Sequence, residues 1–402
     1  MRAIIEAAMP AQKSMLNQFE WDEHYKVSGI EDVLTPALLI YPEIVAANLD
    51  RTIQLLDGNA DRWRAHIKTA KAGRIVRMLV ERGLRNFKCA TTLELLVACQ
   101  SGAGDVLLAY PSMGANARRV QEIAGQFPEV RISILAESEA QVRQWRGSRL
   151  GVFLDINPGM DRTGIEQSRC GEIVALVSAI AASGVEFRGL HYYDGQYGKL
   201  EEPQRTTAAH EGYRRLLEIV SEVERSGTHV PEVITAGTPT FPCSLSFPLF
   251  RGASFIHRIS PGTIVYGDAT SLMQLPAGYG FRPAALVLAR VVSRPRAGII
   301  TCDAGHKSVS VDAGVPSCVV LGHPELTPLS PSEEHLPIAV EDGAASPAVG
   351  EALFLLPRHV CPTVNNFDWA LFVRNREIES VEKVSARGRE APLLQAAIHP
   401  LR

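Results

Sequence analysis

The sequence of 402 residues contains no uncharged apolar run approaching the roughly 18–20 residues that a membrane-spanning helix requires. Its opening stretch, MRAIIEAAMPAQK, has Glu6 inside a short apolar segment, so we expect no secretory signal. The formal net charge of −3 is far from the basic excess typical of proteins that bind nucleic acid or anionic membranes. The seven cysteines lack the spacing of a disulfide framework. These absences predict a soluble, cytoplasmic protein with mostly free thiols, whose partners include neither nucleic acid nor membrane.

A complete GxGxxG motif is also missing, since SGAG at 101–104 supplies only part of one, which argues against a dinucleotide-binding fold. The sequence shows no repeat of fixed period and no low-complexity tract. What it does contain, from about residue 35, is short apolar runs that alternate with stretches of helical periodicity. Eight of these runs are candidate strands: PALLIY (36–41), AHIKT (65–69), FKCA (87–90), DVLLAY (105–110), RISILAE (131–137), GVFLDIN (151–157), FRGLHYY (187–193) and EVITAG (232–237).

The alternation of strands and helices favours a parallel sheet. Eight strands over about 200 residues fit a (β/α)8 TIM-type barrel better than a doubly wound sheet. After about residue 270 helical periodicity nearly disappears, and segments such as ALVLARVVSR, KSVSVDAG and WALFVRNREI read as strands and turns. The predicted fold class is therefore α/β. A barrel is expected over residues 33–270, followed by a mostly antiparallel β domain over residues 271–402 that is joined by residues 1–32.

The stretch RAHIKTAK (64–71) places Lys68 at the end of a predicted barrel strand. TIM-type barrels carry their chemistry at the carboxyl ends of their strands. A lysine held there among apolar neighbours is a candidate amine nucleophile. A surface lysine at the end of a strand explains the spacing of this stretch equally well, so the stretch alone does not decide.

Three further strand ends carry polar or small residues. DINPGMDRTG (155–164) contains Arg162, GLHYYDGQYG (189–198) contains Tyr193 and Gln196, and TAGTPTF (235–241) contains Gly237 and Thr238. The glycine and threonine of the last turn can offer backbone N–H and hydroxyl groups to a phosphate. Together with one lysine, such a turn indicates pyridoxal phosphate. Each piece on its own also fits ordinary turn and packing residues.

A second group of candidate residues lies in LPRHVCPTVNNFD (356–368). On an extended strand, residues two apart face the same side. We expect such a backbone here because Cys361 precedes a proline, so His359 and Cys361 can converge on one divalent metal. Imidazole with thiolate suits Zn²⁺ best, and Mn²⁺ or Mg²⁺ are alternatives. A buried cysteine beside a hydrogen-bonded histidine is the plain structural explanation.

Taken in order, these segments resemble a known family. RAHIKTAK resembles the PHxKTHK lysine motif of the D-threonine aldolase and D-serine dehydratase family, which are fold-type III pyridoxal phosphate enzymes with an alanine racemase-like barrel. DINPGMDRTG is similar to the family's D-x-x-x-G-M-x-R-T-G segment. TAGTPTF, PGTIVYGD, TCDAGHKSVSVDAG and HVCPTVN follow in family order. The resemblance covers about residues 33–390 and implies a barrel plus a β domain, usually in a homodimer.

The resemblance also implies roles for residues. Lys68 would carry pyridoxal phosphate, and His359 with Cys361 would bind a divalent metal next to the β-hydroxyl group of the substrate. The other implied cofactor contacts are Arg162 near the ring, Gly237 and Thr238 near the phosphate, and Tyr193, Tyr266 and Asp268.

Three positions depart from the family pattern. Ala70 replaces the second histidine of the lysine motif, Gln196 stands where the aldolases carry a histidine, and Ile264 stands where an aromatic residue is common. Glutamine cannot act as a general base at neutral pH, and the His-x-Cys pair resembles the dehydratases more than the aldolases. We therefore expect a lyase that dehydrates a D-β-hydroxy-α-amino acid to a 2-oxo acid and ammonia.

Two alternatives remain open. The first is retro-aldol cleavage to glycine and an aldehyde, with Tyr193 as the proton relay. The second belongs to another class, a racemase or a pyridoxal phosphate-binding protein without catalytic activity. A racemase needs bases on both faces of the α-carbon and no metal.

Overall fold

The computed structural model describes residues 21–392. The expectations about a signal segment and about the first 20 residues of the predicted joining segment 1–32 lie outside this range. The first strand is β1 (Ala37–Ile40) and the first helix is α1 (Pro42–Leu55). The helices that follow are α2 (Gly73–Glu81), α3 (Thr92–Gln100), α4 (Gly114–Gln126), α5 (Glu139–Arg143), α6 (Cys170–Ala182), α7 (Glu202–Arg225), α8 (Phe241–Ser246), α9 (Ala269–Gln274) and α10 (Val360–Val364).

One compact unit consists of residues 53–68, 73–262 and 388–392. Its eight main strands are parallel and hydrogen-bond in the order β2-β3-β4-β5-β6-β8-β9-β10, with the short β7 beside β6. They are β2 (Ala65–His66), β3 (Asn86–Cys89), β4 (Asp105–Leu108), β5 (Arg131–Ala136), β6 (Gly151–Asn157), β7 (Ile165–Glu166), β8 (Glu186–Tyr192), β9 (Glu232–Thr235) and β10 (Ile256–Ile259).

The barrel closes where Trp63 bridges Ile259 and where the Arg64 N–H donates to the Ile259 carbonyl at 2.9 Å. The strands read as apolar runs because a parallel sheet covered by helices is buried on both faces, as the fully buried β6 illustrates. Leu107, Leu135, Phe153 and Ile234 from four strands pack together as a core cluster. The predicted fold class, an α/β barrel with a mostly antiparallel sheet, is confirmed.

A layer of buried ion pairs lies at the amino ends of the barrel strands. The fully buried Arg64 donates to Glu232 at 2.9 and 3.0 Å and to Asp105 at 2.8 Å. Arg258 also donates to Glu232, and Arg188 to Asp105. In TIM-type barrels this end serves stability, and each carboxylate here holds two guanidinium groups.

We expect Glu232→Gln to lower the free energy of unfolding by about 3–5 kcal/mol, because it leaves two buried guanidinium groups without their shared carboxylate. The matched control is Glu186→Gln, whose partner Arg131 is half-exposed, and which should change stability by about 0–1 kcal/mol. Urea unfolding followed by circular dichroism measures both. Equal, small losses in the two variants would show that the buried layer contributes nothing special.

The second unit consists of residues 21–52, 69–72 and 263–387. Its long path of strands runs in the order β14-β15-β12-β11-β1-β17-β18, and β16 pairs with both β11 and β13. The strands are β11 (Ala285–Arg296), β12 (Ile299–Cys302), β13 (Cys318–Val320), β14 (Leu326–Pro328), β15 (Leu336–Val340), β16 (Ala352–Pro357), β17 (Trp369–Arg374) and β18 (Glu377–Lys383). Apolar side chains of β11, β12, β15 and β16 form its core.

Two strand predictions are wrong. PALLIY, expected as a barrel strand within residues 33–270, forms β1, which pairs with β11 and β17 of the second unit. The eighth barrel strand is instead β10, whose sequence IHRI looks polar because it carries His257 and Arg258. KSVSVDAG at 307–314 forms turns rather than a strand.

All seven cysteines are free thiols. None of the helices within residues 21–392 has the length and apolar character needed to cross a membrane.

Candidate active site

A cavity of about 210 Å³ opens within the barrel unit at the carboxyl ends of its strands. Asp155 lies near the end of β6 and His191 near the end of β8. The predicted residues Lys68, Arg162 and Tyr193 line the same cavity. The structure therefore brings together three predicted site residues that are far apart in the sequence.

Lys68 lies in a turn rather than on a strand, because β2 ends at His66. Its backbone N–H donates to Nδ1 of His66 at 3.3 Å, which ties the turn to the strand end. The Lys68 side chain is half-buried, and its Nζ atom lies 6.0 Å from the centre of the Tyr193 ring. The amine is thus presented to the cavity from the first barrel strand.

Arg162 reaches the cavity from the loop after β6. Its guanidinium carbon lies 4.7 Å from the centre of the Tyr193 ring, a distance typical of a cation–π contact. The loop is tied down at its base, because the Asn157 side-chain oxygen accepts from the N–H groups of Gly159 and Asp161 at 2.9 and 3.1 Å. Arg162 and Tyr193 therefore stack on each other in the lining of the cavity.

The predicted phosphate turn, with Gly237 and Thr238, follows β9 and packs against Tyr193. A Cβ atom at Gly237 would lie 2.8 Å from Cε2 of Tyr193, so only glycine fits this approach. Behind the turn, the buried Asp194 carboxylate accepts from the Thr240 hydroxyl and, at 2.6 Å, from the Tyr213 hydroxyl. The turn is held in place and offers small residues beside the cavity, as a phosphate requires.

Gln196, the predicted replacement for a histidine base, lies directly after Gly195 in the segment that follows β8. Its amide nitrogen donates to the Pro158 carbonyl at 3.1 Å. Its side-chain oxygen is buried, and no residue within 21–392 donates a hydrogen bond to it. The side chain is held by the loop after β6, and Gln196 is not among the residues that line the cavity.

The sequence prediction missed Lys88 on β3, which is fully buried. Its Nζ atom lies 3.4 Å from Nε2 of His191, and Nδ1 of His191 lies 2.7 Å from the Asp155 carboxylate. Burial, and next the positive charge of Lys68, lower the pKa of Lys88 to about 7. Burial, and next the charge of Lys88, also lower the pKa of His191. The available signal was a lysine inside an otherwise apolar strand.

The β unit holds the predicted metal pair, but not on a strand. His359 is the N-cap of α10 and Cys361 lies in its first turn. The predicted extended backbone at Cys361 is wrong, because Pro362 occupies the first turn of a helix, where its missing N–H has no partner to lose. The two side chains still lie near each other, since Cys361 is among the groups that raise the pKa of His359.

The surroundings of this pair fit a metal in part. Nδ1 of His359 lies 2.6 Å from an Asp312 carboxylate oxygen, the partner that usually orients a ligating histidine. Burial lowers the pKa of His359, but Cys361, Asp268 and Asp312 outweigh it and raise that pKa to about 9. No cluster of three or more potential ligands occurs within residues 21–392. Two protein donors leave the remaining coordination positions to water or substrate.

Tyr266 and Asp268, two predicted cofactor contacts, make internal hydrogen bonds in the β unit. The buried Tyr266 hydroxyl donates to the Ala70 carbonyl at 2.8 Å. The buried Asp268 carboxylate caps α9 by accepting from the Ser271 N–H at 2.7 Å, and it also accepts from the Val360 N–H at 2.9 Å. Asp268 thus fixes the start of the helix that carries Cys361.

This barrel, with a lysine at its mouth and a glycine–threonine turn, has the form of a pyridoxal phosphate site. Residues 40–270 match the family model "Alanine racemase, N-terminal domain", and residues 284–373 match the model "Putative serine dehydratase domain". The chain belongs to the alanine racemase-like barrel enzymes. Within them it is a member of the D-threonine aldolase and D-serine dehydratase family.

Known proteins of this family align with nearly the whole chain. D-threonine aldolase of an Arthrobacter species is 27% identical over 370 residues, which cover 88% of this chain and 93% of that protein. D-threo-3-hydroxyaspartate dehydratase of Delftia sp. (strain HT23) is 22% identical over 357 residues, with 83% and 92% covered. The crystal structure of D-threonine aldolase from Filomicrobium marinum superposes with a TM-score of 0.80 at 26% identity and covers 89% and 97%.

These similarities confirm that the protein is a pyridoxal phosphate-dependent lyase of the D-amino-acid type. They include both cleavage and dehydration, so they leave the reaction itself open. In the barrel unit, the Lys68 amine would suit the aldehyde of the cofactor, the small residues Gly237 and Thr238 would suit its phosphate, and Tyr193 and Arg162 would suit its ring.

Proposed function

We propose that the protein is a pyridoxal phosphate- and metal-dependent dehydratase. It would convert a D-β-hydroxy-α-amino acid of the D-serine or D-threo-3-hydroxyaspartate type to a 2-oxo acid and ammonia. The observation that carries the proposal is Gln196, an amide at the position where the aldolases carry a histidine base. Its hydrogen bond to Pro158 holds the amide in place.

The residues of the chain divide the work as follows. Lys68 holds the cofactor and, once the substrate has replaced it, removes the α-proton as a general base. The turn at Gly237 and Thr238 binds the phosphate, and Arg162 with Tyr193 orients the ring. When bound, pyridoxal phosphate supplies the electron sink for the α-carbon. A divalent metal at His359 and Cys361 supplies Lewis-acid polarisation of the β-hydroxyl group.

Gln196 separates the two possible reactions because they handle the hydroxyl proton in opposite ways. Retro-aldol cleavage must remove this proton, and a well-placed general base contributes roughly 10²–10⁴-fold. In dehydration the hydroxyl group instead gains a proton and leaves as water. An amide at this position therefore slows cleavage and leaves dehydration nearly unaffected.

Retro-aldol cleavage is the second candidate. The 27% identity with a D-threonine aldolase favours it, and the Tyr193 hydroxyl can serve as the proton relay in place of a histidine. The predicted zinc, homodimer and cytoplasmic location stay predictions. A racemase would be favoured only if turnover proved independent of metal.

We expect the purified protein to release ammonia and 2-oxo acid at least about tenfold faster than glycine and aldehyde. Product analysis with D-serine, D-threonine and D-threo-3-hydroxyaspartate measures this ratio. Gln196→His should raise the share of glycine and aldehyde, because it restores a base. The control Gln204→His places a histidine on an exposed position of α7 and should leave the ratio unchanged.

Two outcomes would count against the proposal. If the unmodified protein forms mostly glycine and aldehyde, the dehydratase assignment is wrong. If Gln196→His leaves the product ratio at the level of the Gln204→His control, the argument from the missing base fails even if the products are those of dehydration.

A further inference from the structure

A second amine lies in the barrel beside the one expected to carry the cofactor. Lys88 is 2% exposed, and its Nζ atom lies 5.8 Å from the centre of the Tyr193 ring. Lys68 approaches the same ring to 6.0 Å. The two lysines therefore face one aromatic side chain, from adjacent parts of the barrel. Lys68 lines the cavity, whereas Lys88 lies beneath its floor.

The hydrogen-bond partner of Lys88 is a neutral imidazole rather than a carboxylate. Asp155 accepts from Nδ1 of His191 at 2.7 Å, so Nε2 of that histidine is left to accept from Lys88 at 3.4 Å. The Asp155 carboxylate also accepts from the Thr163 hydroxyl at 2.7 Å. Within residues 21–392, Lys88 thus reaches a carboxylate only through a neutral imidazole, and burial in such a setting lowers its pKa to about 7, so that its charge changes near neutral pH.

The charges that face Lys88 are mainly positive. Lys68 and Arg162 face it from the cavity, and Arg64 faces it from the start of β2. Asp155 on β6 supplies the opposing negative charge. The neutral groups that face it are His191 on β8 and the Tyr193 ring, and its partner on the neighbouring strand is His66. A proton on Lys88 and a positive nitrogen at Lys68 therefore disfavour each other.

An apolar side chain would be the stable choice at this position, since a buried amine without a direct carboxylate partner lowers stability. Sites where a local rule is broken in this way are often functional. Lys88 and Lys68 are near enough for their charges to interact. Coulomb repulsion is mutual, so a positive charge on Lys88 acts back on a positive nitrogen at Lys68.

We propose that Lys88, held beneath the cavity by the His191–Asp155 pair, is a positioning residue that sets the proton affinity of the nitrogen through which Lys68 holds its cofactor. This inference rests on the proposed use of pyridoxal phosphate at Lys68, but not on whether the reaction is dehydration or cleavage. Through its positive charge, Lys88 lowers the pH at which that nitrogen loses its proton.

The test is a titration of the visible absorption of the cofactor-loaded protein, without substrate, in the wild type and in three variants. Lys88→Arg keeps a positive charge at every pH, and Lys88→Met removes it at nearly constant side-chain length. The control Lys199→Met removes an exposed lysine that lies outside the cavity. We expect the midpoint to be lowest for Lys88→Arg and highest for Lys88→Met, with at least about a tenfold difference in proton affinity between them.

The wild type should lie between these two variants, and Lys199→Met should match the wild type. If Lys88→Arg does not fold, a midpoint in Lys88→Met at or below that of the wild type overturns the proposal, because loss of a positive charge cannot lower proton affinity. Coincident titrations in all variants also overturn it. A protein that binds no cofactor overturns the proposed function as well, and this result is distinct from the others.

Discussion

A Lys68→Ala variant is expected to lose at least roughly 10³-fold of the lyase turnover, because it removes both the amine that holds the cofactor and the base for the α-proton. It should also lose the visible absorption of the covalently held cofactor. In the proposed function both roles belong to Lys68, which is half-buried and lines the cavity. Steady-state kinetics and an absorption spectrum of the purified variant measure the two losses.

The covalent link can be located directly. Borohydride reduction of the unmodified protein followed by peptide mapping should place the cofactor on Lys68. The neighbouring Lys71 is the internal control, since its Nζ atom lies 3.3 Å from the Ala386 carbonyl and its backbone has a positive φ of 49°. The variant Lys199→Ala should keep both colour and turnover. A label on Lys71, or no label at all, would contradict the assignment.

The barrel could be predicted because strands buried on both faces must be continuously apolar, and the sequence shows such runs at regular spacing. The same reasoning placed Lys68, Arg162 and Tyr193 at one end of the barrel, since the carboxyl ends of parallel strands meet there. The structure brings these three side chains into one cavity. Periodicity placed these residues at one end of the barrel, and the family resemblance supplied the roles predicted for them.

The partner of a strand, in contrast, is not encoded in its apolar pattern. PALLIY is as apolar as any barrel strand, yet β1 pairs with β11 and β17. The true eighth strand carries His257, which is buried and forms hydrogen bonds with Thr235 and Ser244. A polar side chain can be buried when residues elsewhere in the sequence supply its hydrogen-bond partners. A single sequence does not show which residues these are.

Lys88 was missed for a related reason. A lysine inside an apolar strand was noted at Lys68 and not at Lys88, although the same argument from burial applies to both. What distinguishes Lys88 is its contact with His191, which is 103 residues away in the sequence. The predicted metal pair shows the opposite case. His359 and Cys361 lie near each other as expected, but the extended backbone predicted for them was wrong.

Removal of the divalent metal is expected to lower turnover at least about 10²-fold, while the visible absorption of the cofactor remains. The two functions separate because His359 and Cys361 belong to the β unit, whereas Lys68 belongs to the barrel unit. Treatment with a chelator, followed by metal analysis and by assays before and after adding back Zn²⁺, Mn²⁺ or Mg²⁺, measures the effect. Recovery with one ion would identify the metal.

Variants can test whether the metal lies at this pair. His359→Ala and Cys361→Ala should each abolish stoichiometric metal binding. Asp312→Asn should weaken it only about 10–100-fold, because Asp312 orients His359 without ligating the metal. The matched control is His323→Ala in the same unit, since His323 also pairs with a carboxylate, Glu325 at 2.9 Å, but has no thiol partner.

The graded series separates a metal site from a merely structural contact between His359 and Cys361. A structural contact would make the alanine variants less stable without changing the metal content, and His323→Ala would then resemble them. A metal site makes affinity fall in the order wild type, Asp312→Asn, His359→Ala, with thermal stability of the metal-free proteins nearly equal. Full turnover in a metal-free double variant, His359→Ala with Cys361→Ala, would refute the metal assignment.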